Sequence, residues 1–259
     1  MKHFIPISLL GFSLGALTAN GAVVFSDSFS YPDGALAGQG GWVQNGTNAT
    51  NPIQVAAGAA NIIANSGQDA YVNFAAAITN TDATFAYYGA TVTVTSATAT
   101  GEYFLHFTNG TTNPAAFSGR LAAQSSGAGF VLGYSESTNA GTTYGTTVLS
   151  LNIPYNIVVR YGFVSGTLND TGAVFVSSGA FDPVEANNTP YLTDAFNGTT
   201  AEIGNFTGIQ IRQGVNTASA AVTLDNLVVS TTFSESAIPE PSVALLAFFA
   251  GLAAMRRQR

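Results

Sequence analysis

The apolar residues between Val23 and Ser236 recur in short runs separated by glycine, asparagine and proline, without the period of an amphipathic helix. Residues 91–95 alternate threonine with valine, which predicts a strand with Val92 and Val94 on a buried face and the threonines on a polar face. The pattern indicates an all-β chain.

Residues 102–108 also predict a strand, but one with two partly apolar faces. Strict alternation places Tyr103, Leu105 and Phe107 on one face, and Phe104 and His106 on the other. We therefore expect an inner strand that is covered on both sides.

Eight further runs bring the predicted strands to ten; they lie at residues 23–29, 60–64, 130–134, 147–151, 155–164, 173–177, 207–213 and 221–230. This number and the uneven spacing favour an antiparallel two-sheet sandwich of the jelly-roll kind over a small barrel. A β-helix is the alternative because asparagine, glycine and threonine are abundant, although no fixed repeat period is evident.

The C-terminal segment begins with a Pro-Glu-Pro stretch, Pro239 to Pro241. Proline lacks a backbone N–H and disfavours helix in the residue before it, so the stretch should be extended and accessible to processing. The apolar run 243–255 follows. As a helix this run would span about 20 Å, against roughly 30 Å of bilayer hydrocarbon. It is therefore short for a permanent anchor, and the arginines after it would remain in the cytoplasm.

This order of elements resembles the PEP-CTERM sorting signal of Gram-negative bacteria. The residues that carry the match are Pro239, Glu240, Pro241, Arg256, Arg257 and Arg259, together with the apolar run between them. The resemblance implies recognition by a membrane-embedded exosortase, processing near Pro-Glu-Pro, transient residence in the inner membrane, and delivery to the cell surface or extracellular matrix. A plain tail anchor or a buried terminal helix is the alternative.

Residues 1–22 have the pattern of a secretory signal peptide, with Lys2 and His3 before an apolar stretch at 4–17 and small residues at 18–22. Cleavage is expected between Ala19 and Val23; an uncleaved anchor is the alternative, and either one exports the middle of the chain. The predicted organisation is a signal peptide (1–22), an ectodomain (23–236) and a sorting segment (237–259). A sandwich of the ectodomain's length is ordinarily one domain.

Charged residues are scarce, at 8% of the chain, where about 25% is usual. The predicted ectodomain carries three arginines, Arg120, Arg160 and Arg212, against thirteen acidic residues, a formal charge of −10. Nucleic acid is therefore excluded as a partner, because binding to a phosphate backbone requires clustered lysine or arginine. A surface solvated mainly by threonine, serine, asparagine and glycine suits a polysaccharide-rich exterior.

Cysteine is absent from the sequence. This excludes a disulfide framework, a thiolate metal site and a cysteine nucleophile. A chain of this length buries roughly 70% of its unfolded surface, so the core by itself can hold the fold.

The ectodomain also resembles concanavalin-A-like and laminin-G-like jelly rolls. The resemblance rests on residues 27–34, 40–42, 155–161 and 224–227. It implies that the first and last strands pair, which would set Phe29 and Leu224 in neighbouring strands. Trp42 should fill one end of the core.

Glycosidases on such scaffolds place two or three carboxylates close together on one strand, and no such run occurs in this sequence. The acidic residues are mostly isolated: Asp69, Asp82, Glu102, Glu136, Asp170, Asp194 and Glu202. His106 is the only histidine after the signal peptide, and its strand-centre position favours a hydrogen-bonded structural role over a Ser-His-Asp triad. The sequence therefore predicts no enzymatic activity, no catalytic residues and no cofactor.

Asp27, Asp33 and Asp225 lie near the ends of the predicted first and last strands, where hard oxygen ligands could hold Ca²⁺. Capping of turns by Asp33 and Asp225 accounts for them equally well. No metal site is therefore assigned.

Tyrosine side chains could stack on sugar rings if several lined one concave face; the candidates are Tyr87, Tyr88, Tyr134, Tyr144, Tyr155 and Tyr161. Packing in the core or between the sheets is the default for strand tyrosines. The main functional hypothesis is a non-catalytic exported protein of the surface or matrix, sorted by an exosortase. The alternative is a lectin-like carbohydrate-binding module that acts on extracellular polysaccharide.

Overall fold

The computed structural model describes residues 22–63, 67–81, 84–110, 112, 116–137, 141–195, 202–214 and 220–237. All of the predicted signal peptide except its last residue lies outside the described residues, as do the sorting residues Pro239, Glu240, Pro241, Arg256, Arg257 and Arg259. No helix in the described part of the chain has the length and apolar composition needed to cross a membrane.

Within these ranges the chain forms sixteen strands. In chain order they are β1 (Val23–Asp27), β2 (Gly34–Ala35), β3 (Val43–Asn45), β4 (Gln54–Ala56), β5 (Ala59–Ile62), β6 (Asp69–Thr79), β7 (Phe85–Ser96), β8 (Glu102–Asn109), β9 (Ala116–Ser126), β10 (Gly129–Ser137), β11 (Thr143–Tyr144), β12 (Pro154–Gly162), β13 (Thr171–Ser177), β14 (Leu192–Ala195), β15 (Asn205–Ile211) and β16 (Ala221–Ser230). A 3-10 turn spans Glu185–Asn187, and a short helix, α1, spans Phe233–Ser236.

The strands form two antiparallel sheets. The nine-stranded sheet has the order β14-β13-β12-β7-β16-β5-β4-β2, with β1 paired to β16 outside this path. The seven-stranded sheet has the order β11-β10-β9-β8-β15-β6-β3. The described chain is therefore an all-β, two-sheet antiparallel sandwich, as the hydrophobic pattern predicted.

Aromatic rings fill the space between the two sheets. Tyr88 of β7 lies 5.0 Å from Phe107 of β8, measured between ring centroids, and Phe107 stacks on Phe206 of β15 at 4.4 Å. Tyr161 of β12 meets Phe206 edge-on at 4.9 Å. All four side chains are at most 1% exposed. Rings from both sheets thus interlock, which gives the sandwich its core without any disulfide.

The strand pattern was predicted well where alternation is strong and poorly elsewhere. Val92 and Val94 are buried, as expected. The long strands β6 and β9 were missed, because runs of alanine, serine and glycine break their alternation and pairing with neighbouring strands defines them instead. The predicted strand at 147–151 was wrong: within it, a single bridge joins Leu149 to Phe130.

The first and last strands pair, β1 with β16, as the resemblance implied. The expected juxtaposition of Phe29 and Leu224 was wrong, however. Leu224 pairs with Ala60 and Val92. Phe29 lies beyond the end of β1 and has φ 48°, so the chain has turned away from β16 before it.

Asp27 fastens the segment that leaves β1. Its Oδ1 accepts a hydrogen bond from the Phe29 amide at 2.7 Å, and its Oδ2 accepts from the Trp42 indole N–H at 2.6 Å and the Tyr31 hydroxyl at 2.9 Å. Burial and these interactions with Asp27 raise the pKa of Tyr31 to about 12. Trp42 is 1% exposed and packs on Phe29. It fills one end of the core, as expected.

The helix α1 packs on the outer face of the nine-stranded sheet. Phe233 contacts the rings of Tyr87 and Phe175 edge-on. Gly89 of β7 makes the close approach possible, since a Cβ there would overlap the carbonyl oxygen of Ser236. The chain after β16 is thus held against the sheet by α1.

Replacing Asp27 with alanine should lower the free energy of unfolding by about 3 kcal/mol, because the Trp42 indole and the Phe29 amide lose their buried acceptor. Urea denaturation followed by Trp42 fluorescence measures the loss. The matched control is Asp33→Ala: Asp33 is exposed and accepts one bond, 3.2 Å from the Ala57 amide. Asp33→Ala should lower the free energy of unfolding by less than about 0.5 kcal/mol. Equal losses in the two variants would contradict the role given to Asp27.

Candidate functional site

The outer face of the seven-stranded sheet carries a polar and aromatic cluster that begins at Tyr103 and His106. The register of β8 against β9 shifts after Tyr103, where two residues of β8 stand against one of β9. Phe104 and Leu105 consequently both enter the core. Tyr103 and His106 come onto the same face, with ring centroids 5.4 Å apart. The prediction that they lie on opposite faces was wrong, because it assumed unbroken alternation.

Two arginines lie over the Tyr103 ring. The guanidinium carbon of Arg212 is 4.2 Å from the ring centroid, and that of Arg120 is 4.7 Å away. Arg212 also donates from Nη1 to Glu102 Oε2 at 2.7 Å, and Arg120 donates from Nε to Ser135 Oγ at 2.9 Å. Two of the three arginines of the predicted ectodomain thus converge on one ring, which holds it in place through cation–π contacts.

His106 lies beneath this arrangement and is fully buried. Its Nδ1 is 3.0 Å from the carbonyl oxygen of Phe107, and its ring is 4.6 Å from that of Phe117. Burial, with smaller contributions from the charges of Arg120 and Arg212, lowers the pKa of His106 to about 3. The imidazole is therefore neutral at physiological pH and fits the structural role expected for it.

A cleft of about 270 Å³ opens beside the cluster, at the end of the sheet formed by β3, β6 and β15. We call it the Asp69 cleft; its lining residues are Asn45, Gly46, Thr47, Asn48, Gly67, Asp69, Arg212 and Gln213. Most of these side chains carry amide, hydroxyl or charged groups. Together they offer both hydrogen-bond donors and hydrogen-bond acceptors.

The polar groups of the Asp69 cleft are fixed by one another. Asn45 Nδ2 donates to Gln210 Oε1 at 2.7 Å, and Gln210 Nε2 donates to Asp69 Oδ2 at 3.3 Å. Asp69 Oδ1 accepts from the Gln213 amide at 2.8 Å. Burial raises the pKa of Asp69 to about 6, although these bonds and the charge of Arg212 act in the opposite direction.

Gln213 ties the rim of the Asp69 cleft to two neighbouring segments. Its Nε2 donates to the carbonyl oxygen of Asn51 at 2.5 Å, and its Oε1 accepts from the Ile63 amide at 3.0 Å. A Cβ at Gly67 would overlap this side chain, so glycine is required for the close approach. The cleft is consequently preformed.

The predicted tyrosines do not line one face. Tyr88, Tyr134 and Tyr161 belong to the core between the sheets, and Tyr87 lies under α1. Tyr155 packs against Phe130. Of the six, Tyr144 lies near the cluster: it occupies the space over Gly133 on the outer side of β10. The tyrosine at the centre of the cluster, Tyr103, was not among the candidates; the scarcity of arginine is the signal that could have pointed to this face.

The three aspartates considered for Ca²⁺ are accounted for by protein donors. Asp27 uses both oxygens to hold Phe29, Tyr31 and Trp42, as described above. Asp33 accepts from the Ala57 amide, and Asp225 accepts from the adjacent Asn226 amide at 2.7 Å. Across the described residues, no group of three or more histidine, aspartate or glutamate side chains is placed to hold a metal ion.

Several acids that are isolated in the sequence come together in the fold. Glu136 of β10 lies beside Asp194 of β14 but is 0% exposed. Glu202 accepts from the Asp170 amide at 2.6 Å, in a loop at the end of the sandwich. A glycosidase needs two carboxyl groups that flank a substrate. Glu136 is fully buried between the sheets, so the Glu136–Asp194 pair does not meet this requirement.

A larger cavity of about 460 Å³ lies between the loops after β6 and β12. Its lining residues are Asn80, Thr81, Thr84, Phe163, Val164, Ser165 and Gly166. Among the described residues, its lining has no charged side chain and fewer polar side chains than that of the Asp69 cleft. The Asp69 cleft is therefore the better candidate site.

Comparisons with known proteins find no matching family model and no matching curated protein. Among solved structures, the chain is similar to the CBM2 module of the evolved Dit protein of Lactobacillus casei BL23 phage J-1, at 10% identity and a TM-score of 0.48 over 82% of this chain and 96% of that one. It is similar to winged bean acidic lectin at 11% identity and a TM-score of 0.41, over 80% of this chain and 97% of that one. The chain is also similar to a GH54 α-L-arabinofuranosidase, at 13% identity and a TM-score of 0.47 over 75% of this chain and 46% of that one. The candidate site is interpreted from its own geometry.

His106 should stay neutral from pH 8 to about pH 4, because burial lowers its pKa. Proton NMR of the imidazole, assigned with His106→Gln, measures this. An unfolded histidine titrates near pH 6.5. The unfolded chain therefore binds more protons below that pH, and His106 should lower stability as the pH falls from about 6.5 towards 3. A His106 midpoint near 6.5 would contradict the buried geometry.

Proposed function

We propose that this sandwich is a non-catalytic carbohydrate-binding module and that the Asp69 cleft is its sugar site. The observation that carries the proposal is the preformed set of amide, hydroxyl and carboxylate groups in a concave cleft of about 270 Å³. Each sugar hydroxyl is both a donor and an acceptor, and a cleft that offers both kinds of partner in fixed positions can orient a sugar ring.

Preorganisation supports this assignment. Asp69, Gln210 and Gln213 are held by hydrogen bonds within the protein, so little side-chain freedom is lost when a ligand binds. Part of Asp69 remains accessible at the cleft, where its carboxylate can accept from a hydroxyl. Arg212 in the same lining adds a guanidinium group, which can donate hydrogen bonds to a ligand.

The charges around the cleft favour a neutral glycan. Arg212 is the cation of the lining, and it is already paired with Glu102 and within electrostatic reach of Asp69. The predicted ectodomain carries a formal charge of −10, which repels polyanions at longer range. An uncharged extracellular polysaccharide is therefore the partner that we propose.

We also propose that the chain is exported and sorted to the cell surface or extracellular matrix through its C-terminal segment, with an exosortase and, transiently, the inner membrane as partners. The support is the order of Pro-Glu-Pro, apolar run and arginine cluster in the sequence. The structure adds that Ala237 is buried and donates its amide to the carbonyl oxygen of Phe233 at 2.7 Å. In the sequence, the Pro-Glu-Pro stretch begins two residues after Ala237.

A glycan array should show saturable binding to neutral glycans that free sugar competes away. Asp69→Asn should weaken this binding at least tenfold, because the charged acceptor is lost while the size of the side chain is kept. Asp182→Asn is the matched control, since Asp182 is exposed and is not among the residues that line the cleft. Isothermal titration calorimetry with the best glycan gives the affinities.

A pair of tryptophan variants tests whether the sugar site lies in the Asp69 cleft. Thr47→Trp should fill the cleft and abolish binding, whereas Thr147→Trp, at an exposed position outside the cleft lining, should not. Unchanged affinity in both Asp69→Asn and Thr47→Trp would remove the cleft as the sugar site. An array with no competable binding would remove the carbohydrate proposal itself.

A stop codon after Ala237 should release the protein into the medium with its melting temperature unchanged, because α1 and its capping residue are retained. Immunoblotting of cell-surface and medium fractions measures the distribution. A stop after Thr232 is the informative comparison, since it also removes Phe233 from the outer face of the nine-stranded sheet and should lower the melting temperature. Surface retention of the Ala237 truncation would contradict sorting through the tail.

A further inference from the structure

A buried acidic contact closes one edge of the sandwich. Glu136 of β10 and Asp194 of β14 lie in different sheets, and strands β10 and β14 pack against each other at this edge. Glu136 is 0% exposed. Neither of its carboxyl oxygens, nor Oδ2 of Asp194, has a hydrogen-bond donor within the described structure.

A proton on Glu136 resolves this conflict. Ionised carboxylates only accept hydrogen bonds, so two of them in contact leave their oxygens without donors. A protonated Glu136 donates to Asp194 and converts a repulsive contact into a hydrogen bond. Burial is the largest cause that raises the pKa of Glu136 to about 8, and the interaction with Asp194 adds to it.

The same contact joins the edge strands of both sheets. The Thr143 hydroxyl of β11 donates to Asp194 Oδ1 at 2.7 Å. Strand β11 is the edge of the seven-stranded sheet, and β14 is the edge of the nine-stranded sheet. Each edge strand has a backbone partner on one side only, so side-chain contacts of this kind carry much of its attachment.

The other titratable groups that face Glu136 are few. Arg120 of β9 favours the charged form of Glu136 but does not offset its burial. Tyr134 of β10 and Tyr161 of β12 are buried, and the pKa of each hydroxyl is raised well above its usual value, so both remain neutral across the physiological range. Glu136 is thus the group in this set that changes charge at mildly alkaline pH.

We propose that the Glu136 carboxyl is a proton-operated latch that fastens β14 and β11 across the edge of the sandwich and releases them when the proton is lost. In the latched form Glu136 donates to Asp194, and Asp194 accepts from Thr143 on its other oxygen. In the released form the buried negative charge of Glu136 has no hydrogen-bond donor and repels the neighbouring carboxylate of Asp194, and separation of the edge strands admits water to Glu136. The latch does not depend on the proposed sugar site, because Glu136 and Asp194 are absent from its lining.

The sign of the pH effect follows from proton linkage. Because the folded chain holds the Glu136 proton to higher pH than the unfolded chain does, stability falls as the pH rises towards about 8 and then levels off. In this window the ratio of folded to unfolded protein should fall by up to about tenfold per pH unit. Asp69 titrates lower, near 6, so measurements between pH 6.5 and 9 isolate Glu136.

Urea denaturation of the full chain across this range tests the proposal. Wild type should lose about thirtyfold in the folded-to-unfolded ratio between pH 6.5 and 9, most of it below pH 8 at up to about tenfold per pH unit. Glu136→Gln should show little dependence and be the more stable protein at pH 9, since its amide donates to Asp194 at every pH. Glu235→Gln, at an exposed position on α1, is the matched control and should keep the wild-type slope. A wild-type slope in Glu136→Gln would overturn the latch.

Hydrogen exchange in the wild-type chain gives a readout that needs no variant to fold. After correction for the intrinsic pH dependence of exchange, the amides of β14 and β11 should lose protection above pH 8 while those of β6 and β15 keep it. Uniform protection would overturn the proposal. A calcium effect at pH 8.5 would also overturn it. If millimolar Ca²⁺ raises the melting temperature of the wild type but not that of Glu136→Gln, the two carboxylates form a cation site and not a latch.

Discussion

The packing of aromatic rings between the two sheets is the constraint on which the rest of the structure depends. Tyr88, Phe107, Phe206 and Tyr161 contribute rings from both sheets, and the Tyr88 hydroxyl donates to the carbonyl oxygen of Gly119 at 2.7 Å across the core. With no disulfide and few ion pairs, this interior sets the spacing of the sheets. Which side chains face outward on the seven-stranded sheet follows from it.

The candidate site depends on a break in strand alternation. If β8 alternated regularly, Tyr103 would face opposite to His106 and the arginines would have no common ring to contact. The core takes both Phe104 and Leu105 because burying two large apolar side chains outweighs the loss of regular ladder pairing at the bulge. The neighbouring Asp69 cleft then lies beside Arg212, which belongs to both features.

Two buried acids, Asp27 and Glu136, have defined roles in this chain with few charges. Asp27 collects three donors and holds the Trp42 end of the core. Glu136 of β10 lies at the edge of the sandwich beside Asp194 of β14, and the charge of Arg120 does not offset its burial. In a chain with only 8% charged residues, these two acids are not compensated by a dense network of ion pairs, so hydrogen bonds satisfy Asp27 and protonation neutralises Glu136.

The sequence by itself determined the all-β class, the burial of Val92 and Val94, and the burial of Trp42, whereas the pairing of the first and last strands was implied by the resemblance to jelly rolls. These features depend on residues that are close in sequence or on strong apolar character. Tertiary structure alone decided that Tyr103 joins His106, that β6 and β9 are strands, and that Glu136 meets Asp194. Bulges, weak strands and contacts between sheets depend on partners distant in the chain, and a pattern read over a few neighbouring residues contains no information about them.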